Sequence, residues 1–331
     1  MNKNKLGNAK LLNNNPLGRY IKHNAGILIG LVVLVVGLTF ASPYFLTMKN
    51  FSNVLRQATS NALLAYALTY VLIIGNIDLT VGSMVGIGSV LVATFIEVWK
   101  MDFFSALLLT VVFGCAIGFI NGFIVSNTVM PPYIITLAMQ NILRGFAYLI
   151  AGGVAIKVNN DAFYKFGNSY VLGIPIPVIV FAVIGVILAI ILERTVFGRH
   201  MVAVGGNIEA ARYAGINIKK VKIIGYMVSG SLAALAGVIV ASRVYSGQPT
   251  AGQGFESDAI ASAVLGGTSF NGGRGSIGGT IIGILIIAIV ANGLNLLEVN
   301  AYWQKIVLGF IIIFAIALDV YRTAQASRQA S

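Results

Sequence analysis

Apolar runs recur along this chain at Ala25–Ala41, Val54–Ile74, Leu79–Val98, Phe103–Val125, Tyr133–Ala151, Ile174–Leu192, Ile223–Ala241, Ala259–Leu265, Ile277–Leu297 and Tyr302–Leu318. Crossing a hydrocarbon core of about 30 Å takes about 20 apolar residues in a helix. All but one of the runs are long enough, or nearly so, to span with modest tilt. The exception, Ala259–Leu265, runs into a glycine stretch beginning at Gly266 and reads as a broken or re-entrant helix. The pattern predicts an all-α integral membrane protein of about ten transmembrane helices with broken or re-entrant segments. Residues 25–320 form a single membrane domain between an N-terminal tail (1–24) and a C-terminal tail (321–331).

Composition agrees: 57% of residues are hydrophobic and 10% charged, against about 25% charged in soluble domains. The net charge of +12 does not point to nucleic acid, because the basic residues are scattered between apolar runs instead of gathered on one solvated face. Loop charge sets orientation instead. If each run crosses once from a cytoplasmic N-terminus, the cytoplasmic side receives Lys3, Lys5, Lys10, Arg19, Lys22, Arg194, Arg199, Arg212, Lys219, Lys220, Lys222, Arg274, Arg322 and Arg328. The outer side receives only Lys49, Lys100, Lys157, Lys165 and Arg243. An even number of crossings and two cytoplasmic termini follow. The N-terminal segment lacks the short apolar stretch and cleavage site of a signal peptide, and Trp99, Tyr302 and Trp303 stand at run ends, where aromatic rings anchor at the membrane boundary.

Small residues let helices approach closely in lipid. Gly114, Gly118 and Gly122 recur every fourth residue, as do Gly275, Gly279 and Gly283, while Gly82, Gly86 and Gly88 mark a third run. These three runs are expected to be the inner helices. The single cysteine, Cys115, sits among apolar neighbours and reads as packing.

Three stretches could carry function. Within the charged segment 193–222, Asn207 is a good N-cap, Glu209 lies in the first turn, Arg212 follows and Gly215 can stop a helix in the left-handed conformation. This encodes about two turns, marginal alone in water, so the helix is expected to dock against something. The second stretch runs from Gly266 to Gly279 and includes Gly267, Thr268 and Ser269. Gly273, Gly275 and Gly278 fit a dinucleotide pattern, but that motif needs a preceding strand, and apolar helices flank it here. Irregular backbone lining a wet cavity suits it better. The third is Gly75-Asn76-Ile77-Asp78-Leu79-Thr80, where Asp78 must lie at a segment end, be partnered or face water; it could also cap the next helix. Asn61, Gln140, Asn141, Asn292 and Asn295 offer hydrogen bonds to a polar solute or between helices.

No glycine is followed by lysine, so a phosphate-cradling loop ending in Gly-Lys-Ser/Thr is absent. His23 and His200 are isolated, and clustered acids, histidines or cysteines for metal or acid–base chemistry are lacking, so no catalysis, metal or cofactor is expected in this chain.

Four blocks resemble the membrane permeases of ribose-type ABC importers, a likeness running from about Phe45 almost to the C-terminus. They are Asn76-Ile-Asp-Leu-Thr-Val-Gly-Ser83; Phe197-Gly-Arg-His-Met-Val-Ala-Val-Gly-Gly-Asn207 with Ala210-Ala-Arg-Tyr-Ala-Gly-Ile216; Glu256-Ser-Asp-Ala-Ile-Ala261; and Leu265-Gly-Gly-Thr-Ser-Phe-Asn-Gly-Gly-Arg-Gly275. The resemblance implies monosaccharide import through a bacterial cytoplasmic (inner or plasma) membrane. It also implies a second permease copy as a homodimer, separate ABC ATPase subunits carrying ATP and Mg, and an extracytoplasmic sugar-binding protein. On that reading Gly206, Asn207, Glu209, Ala210, Arg212 and Gly215 form the element coupled to the ATPase. Asn61, Asn76, Asp78, Gln140, Asn141, Gly266, Gly267, Thr268 and Ser269 become candidates for the translocation path and its broken helices. The alternative is a self-contained secondary transporter of a small polar solute, for which Asp78 would be the coupling group.

Overall fold

The computed structural model describes the backbone of residues 25–330, with side-chain burial for residues 31–317 apart from residue 315. The five N-terminal basic residues and His23 lie outside the described residues, as do the side chains of Arg322 and Arg328. Thirteen helices lie within the described residues: α1 (Ala25–Ala41), α2 (Met48–Ile73), α3 (Thr80–Glu97), α4 (Phe103–Asn127), α5 (Pro132–Ala151), α6 (Asp161–Asn168), α7 (Ile176–Arg194), α8 (Val196–Gly206), α9 (Ile208–Tyr213), α10 (Ile218–Val244), α11 (Phe255–Leu265), α12 (Ile277–Leu296) and α13 (Ala301–Ala330). Four two-residue strands make two small antiparallel pairs: β1 (Ile156–Lys157) with β4 (Ser246–Gly247), and β2 (Tyr170–Val171) with β3 (Ile174–Pro175).

Each apolar run coincides with a helix, and among the described residues α3, α4, α5, α7, α10 and α12 are long and apolar enough by themselves to cross a membrane. The α1 helix is 17 residues long, α2 opens with the polar stretch Met48-Lys-Asn-Phe-Ser-Asn53, and α11 has 11 residues. Seven helices open on a side-chain cap, and of these caps Asn207 was expected from sequence. Thr47, Asp102, Asn160, Thr195, Asn207, Asn217 and Ser276 each accept a hydrogen bond from a backbone N–H in the first turn of the helix they open.

The second half of α2, nearly all of α3 and much of α10 form the core. Tyr66 stacks on Phe181 of α7 at 5.0 Å, and the Tyr70 hydroxyl donates to Leu188 O at 2.7 Å. The glycine runs require a correction here. α3 is an inner helix, but α4 is peripheral: Phe104, Leu108, Val112, Phe119 and Phe123 are exposed on its outer side. Its glycines form one contact face against α10, where a Cβ at Gly114 would lie 2.5 Å from that of Ala234 and one at Gly122 2.7 Å from Ile223 Cα. Gly275 belongs to the loop before α12, with only Gly279 and Gly283 on the helix facing α11. A stripe of small residues marks where two backbones meet, and says nothing about the other faces.

Exposed Val183, Val186, Ile187 and Ile190 on α7 repeat the apolar exterior of α4, as a bundle surrounded by lipid requires. Gly118→Val should open the α4–α10 seam, because a Cβ there would sit 2.8 Å from Met227 Cα. The expected cost is about 1–3 kcal/mol, read as a fall in the melting temperature of the detergent-extracted chain.

Candidate functional site

The short α9 is built as its sequence requires. Asn207 Oδ1 accepts from Ala210 N at 2.9 Å, and at the other end Gly215 has φ +76° while Ile216 N returns to Ala211 O at 3.1 Å. Arg212 Nη1 lies 2.9 Å from both Glu209 carboxylate oxygens. Both partners are exposed, so the pair adds only about 0.2–0.5 kcal/mol. Ala211 is the one buried residue of the helix, whereas Glu209, Ala210, Arg212 and Tyr213 face outward. The structure adds α8, an amphipathic helix immediately before α9 within a segment read from sequence as loop.

At the end of α8 three chain segments meet backbone to backbone. Gly273 N donates to Ile73 O, the last residue of α2, at 2.9 Å. A Cβ at Gly205 would lie 2.6 Å from Gly273 N, one at Gly272 2.8 Å from Gly205 O, and one at Gly273 2.8 Å from Gly206 Cα. Asn76 is buried nearby in the α2–α3 turn with its Nδ2 unpartnered. Gly266 closes α11 against Gly279 and Thr280, Gly267 has φ +88°, Thr268 is fully buried and Ser269 N donates to Arg274 O at 2.9 Å. Five of the expected path residues, Asn76 and Gly266 to Ser269, are thus gathered at this end, beside α8 and α9.

Asp78 is fully buried. Its carboxylate accepts from Thr80 N at 3.0 Å, from the Thr80 hydroxyl, and from Ser229 Oγ at 2.6 Å, and Asn121 Nδ2 reaches Thr80 Oγ1 at 3.3 Å. The carboxylate thus joins Thr80, the first residue of α3, to Ser229 of α10, and Thr80 in turn reaches Asn121 of α4.

A second polar cluster lies midway along the bundle. Arg144 stands twelve residues into α5, about 18 Å from the helix start at 1.5 Å per residue. Its Nη1 donates to Pro249 O at 2.5 Å and Ala251 O at 2.8 Å, and its Nη2 to Gly82 O at 3.0 Å. These carbonyls belong to α3 and to residues 245–254, which run without helix along α3 before α11 begins. Ser89 Oγ holds the same stretch through Gln248 O at 2.9 Å and Gln248 N at 3.1 Å. Gln140 Nε2 donates to Glu256 Oε1 at 3.4 Å and Asn61 Nδ2 to Asp258 Oδ2 at 3.3 Å. Asn141, one residue on from Gln140, is exposed on the outer face of α5. Sequence reasoning put Asn61, Gln140 and Asn141 in one group; the fold brings the first two toward α11 and turns the third away. It missed Arg144, whose signal was an arginine inside an apolar run.

The family described as branched-chain amino acid transport system / permease component matches residues 50–316. The chain is 43% identical over 306 residues to a ribose import permease protein of Bacillus subtilis (strain 168), covering 92% of this chain and 95% of that one. It is 40% identical over 296 residues to the Escherichia coli (strain K12) ribose import permease protein, 88% of this chain and 92% of the other. A D-allose transport system permease protein of the same strain is 36% identical over 298 residues, covering 90% and 91%. No solved structure matches.

Proposed function

Because this chain belongs to the family described as branched-chain amino acid transport system / permease component, we propose that it is the membrane subunit of an ATP-driven importer of a monosaccharide, ribose being the favoured cargo. The observation that carries the reading is the 43% identity to a ribose import permease over nearly the full length of both chains. The apolar exterior of α4 and α7 supports a multi-pass protein. We count ten crossings, adding α1, α2, α11 and α13 to the six long apolar helices, with both termini in the cytoplasm, as the distribution of Lys and Arg favours.

On this reading α9 is the contact for a separate ATPase subunit, which binds ATP and Mg, and Gly206, Asn207, Glu209, Ala210, Arg212 and Gly215 shape it. Its exposed polar surface and closed caps support that role, and the three-segment junction at Gly205 would carry its movement to the end of α2 and the start of α12. A second permease copy completes the path, and a sugar-binding protein delivers cargo on the outer side. Asn76, Asp78 and residues 266–269 then belong to the moving end of the path and its framework, and Asn61 and Gln140 to its middle.

Extraction of the tagged chain in mild detergent should co-purify an ATPase, and liposomes containing the assembly should take up ribose only with ATP inside the compartment facing α9. Uptake driven by an ion gradient without ATPase would replace this reading by a secondary transporter. Gly215→Val should strain a left-handed position by about 1–2 kcal/mol in a place where nothing lies within 4 Å. The chain should still insert and assemble while uptake falls severalfold; unchanged uptake would remove α9 from the coupling.

A further inference from the structure

From Val171 to Leu192 the chain carries no polar side chain; every residue is aliphatic, aromatic, glycine or proline. Most of this stretch is the helix α7, which begins at Ile176. Its first residues belong to the β2–β3 hairpin, where Tyr170 pairs with Pro175 and Val171 with Ile174. The two-residue turn between them is Leu172-Gly173, with φ of +52° and +79°. Turns with both central residues at positive φ favour Asn-Gly or Asp-Gly, because glycine and short polar side chains adopt that backbone at the least steric cost. Here leucine takes the first position in spite of that cost, and it is 98% exposed. Val171 and Ile174 beside it are half exposed. Water gives an apolar tip nothing to offset the strain, so the turn is built for an apolar neighbour outside the chain.

Depth along the bundle identifies that neighbour. α7 runs beside α2: Tyr170 Oη accepts from Arg56 Nη1 at 3.3 Å, Phe181 stacks on Tyr66 at 5.0 Å, and Leu188 O accepts from the Tyr70 hydroxyl at 2.7 Å. The 19 residues of α7 measure about 28 Å at 1.5 Å per residue, close to the thickness of a hydrocarbon core, about 30 Å. The base of the hairpin, where Ile176 N donates to Ser169 O at 3.0 Å, therefore stands at the membrane boundary, on the outer side in the orientation that the loop charges favour. Tyr170 and Arg56 suit that level, the guanidinium lying 6.0 Å from the ring centroid. The preceding α6 is built differently, exposing Asp161 and Lys165 as a water-facing helix does. The hairpin offers neither charge nor amide, whereas proteins that associate and part again meet across a polar rim. It continues the apolar exterior of α7 at Val183, Val186, Ile187 and Ile190.

We propose that the β2–β3 hairpin is an interfacial lipid anchor. Leu172, with Val171 and Ile174, dips into the outer leaflet among the first acyl carbons of the phospholipids, while Tyr170 and Arg56 stay at headgroup level. The inference rests on α7 crossing the membrane in the orientation given above and is independent of the cargo.

The test uses the full chain with its co-purifying partners in lipid nanodiscs, in a Cys115→Ser background. Leu172→Cys carries a bimane label at the tip, and Lys165→Cys carries the same label on α6 as the water-facing control. Phospholipid with a nitroxide on its acyl chain near the headgroup should quench the label at position 172 severalfold more than that at 165, and iodide in the buffer should do the reverse. Val171→Cys reports on the same hairpin if the first variant fails to assemble. Labels at 172 and 165 that respond alike, to iodide and not to the nitroxide, would overturn the anchor and leave the tip in water. Protection from iodide without quenching by the nitroxide would overturn it as well, and would mean that a protein, a second copy or the sugar-binding protein, covers the tip. Ribose uptake and co-purification of the ATPase are read separately, so failure of the anchor leaves the import reading standing.

Discussion

Arg144→Met should destabilise the chain by about 3 kcal/mol, the scale of one or two hydrogen bonds to a charged group, and should lower its melting temperature in detergent well below that of any surface variant. Methionine replaces the aliphatic stem of arginine but stops short of the guanidinium, so most of the stem's packing is kept. What disappears is the fork that holds Pro249 O, Ala251 O and Gly82 O together. Residues 245–254 form no helix, so the Pro249 and Ala251 carbonyls have no helical ladder to return to. The Glu256 carboxylate, close enough to interact with the guanidinium and carrying an unpaired buried Oε2, would also lose its counter-charge. Removing one partner of such a pair is costly because the other stays buried. Two further variants separate these effects. Arg144→Lys keeps the charge but not the planar fork and should fall between, while Glu256→Gln added to Arg144→Met should recover the electrostatic part. A melting temperature for Arg144→Met equal to that of the parent would show that the irregular segment stands without it.

The long apolar helices and the short α9 were readable because each is encoded locally. An apolar run long enough for a membrane has few alternatives to helix, and a cap such as Asn207 or a stop such as Gly215 acts within four residues of itself. The same locality explains what was hidden. The helix α8 was masked by Arg199 and His200, charges that made its segment look like loop, although Thr195 caps it through Gly198 N at 3.2 Å. The run of residues 245–254 along α3 depends on Arg144, a hundred residues away in sequence, and no periodicity records such a contact. The glycines of α4 signalled a close approach without stating that the opposite face was free. Polar residues in the spans were the hardest to sort. Asn50 and Asn292 exchange amide hydrogen bonds at 3.0 and 2.9 Å and simply join α2 to α12, whereas Asn61 donates to the Asp258 carboxylate of α11; the residue type is identical and only the partner across the gap differs.

Gly205→Ala should be the most damaging single methyl group in the cytoplasm-facing part of the proposed transporter. The new Cβ would stand 2.6 Å from Gly273 N and closer still to Ile73 O, which are the two ends of the hydrogen bond joining the α2 terminus to the glycine-rich loop. Both neighbours are backbone atoms, so neither can rotate aside, and relief requires α8 to move away from the junction. Overpacking of this kind costs about 1–3 kcal/mol. If the junction carries movement from α9 to the path, the consequence for transport exceeds that for stability: the assembled complex should still hydrolyse ATP while uptake drops tenfold or more, the effect of about 1.4 kcal/mol on a coupling equilibrium. Gly206→Ala is the natural comparison, since a Cβ there meets nothing within 4 Å, and its melting temperature should match that of the parent. Equal melting temperatures and equal uptake for the two variants would mean that α8 and the loop merely touch, and that α9 acts on the path by another route.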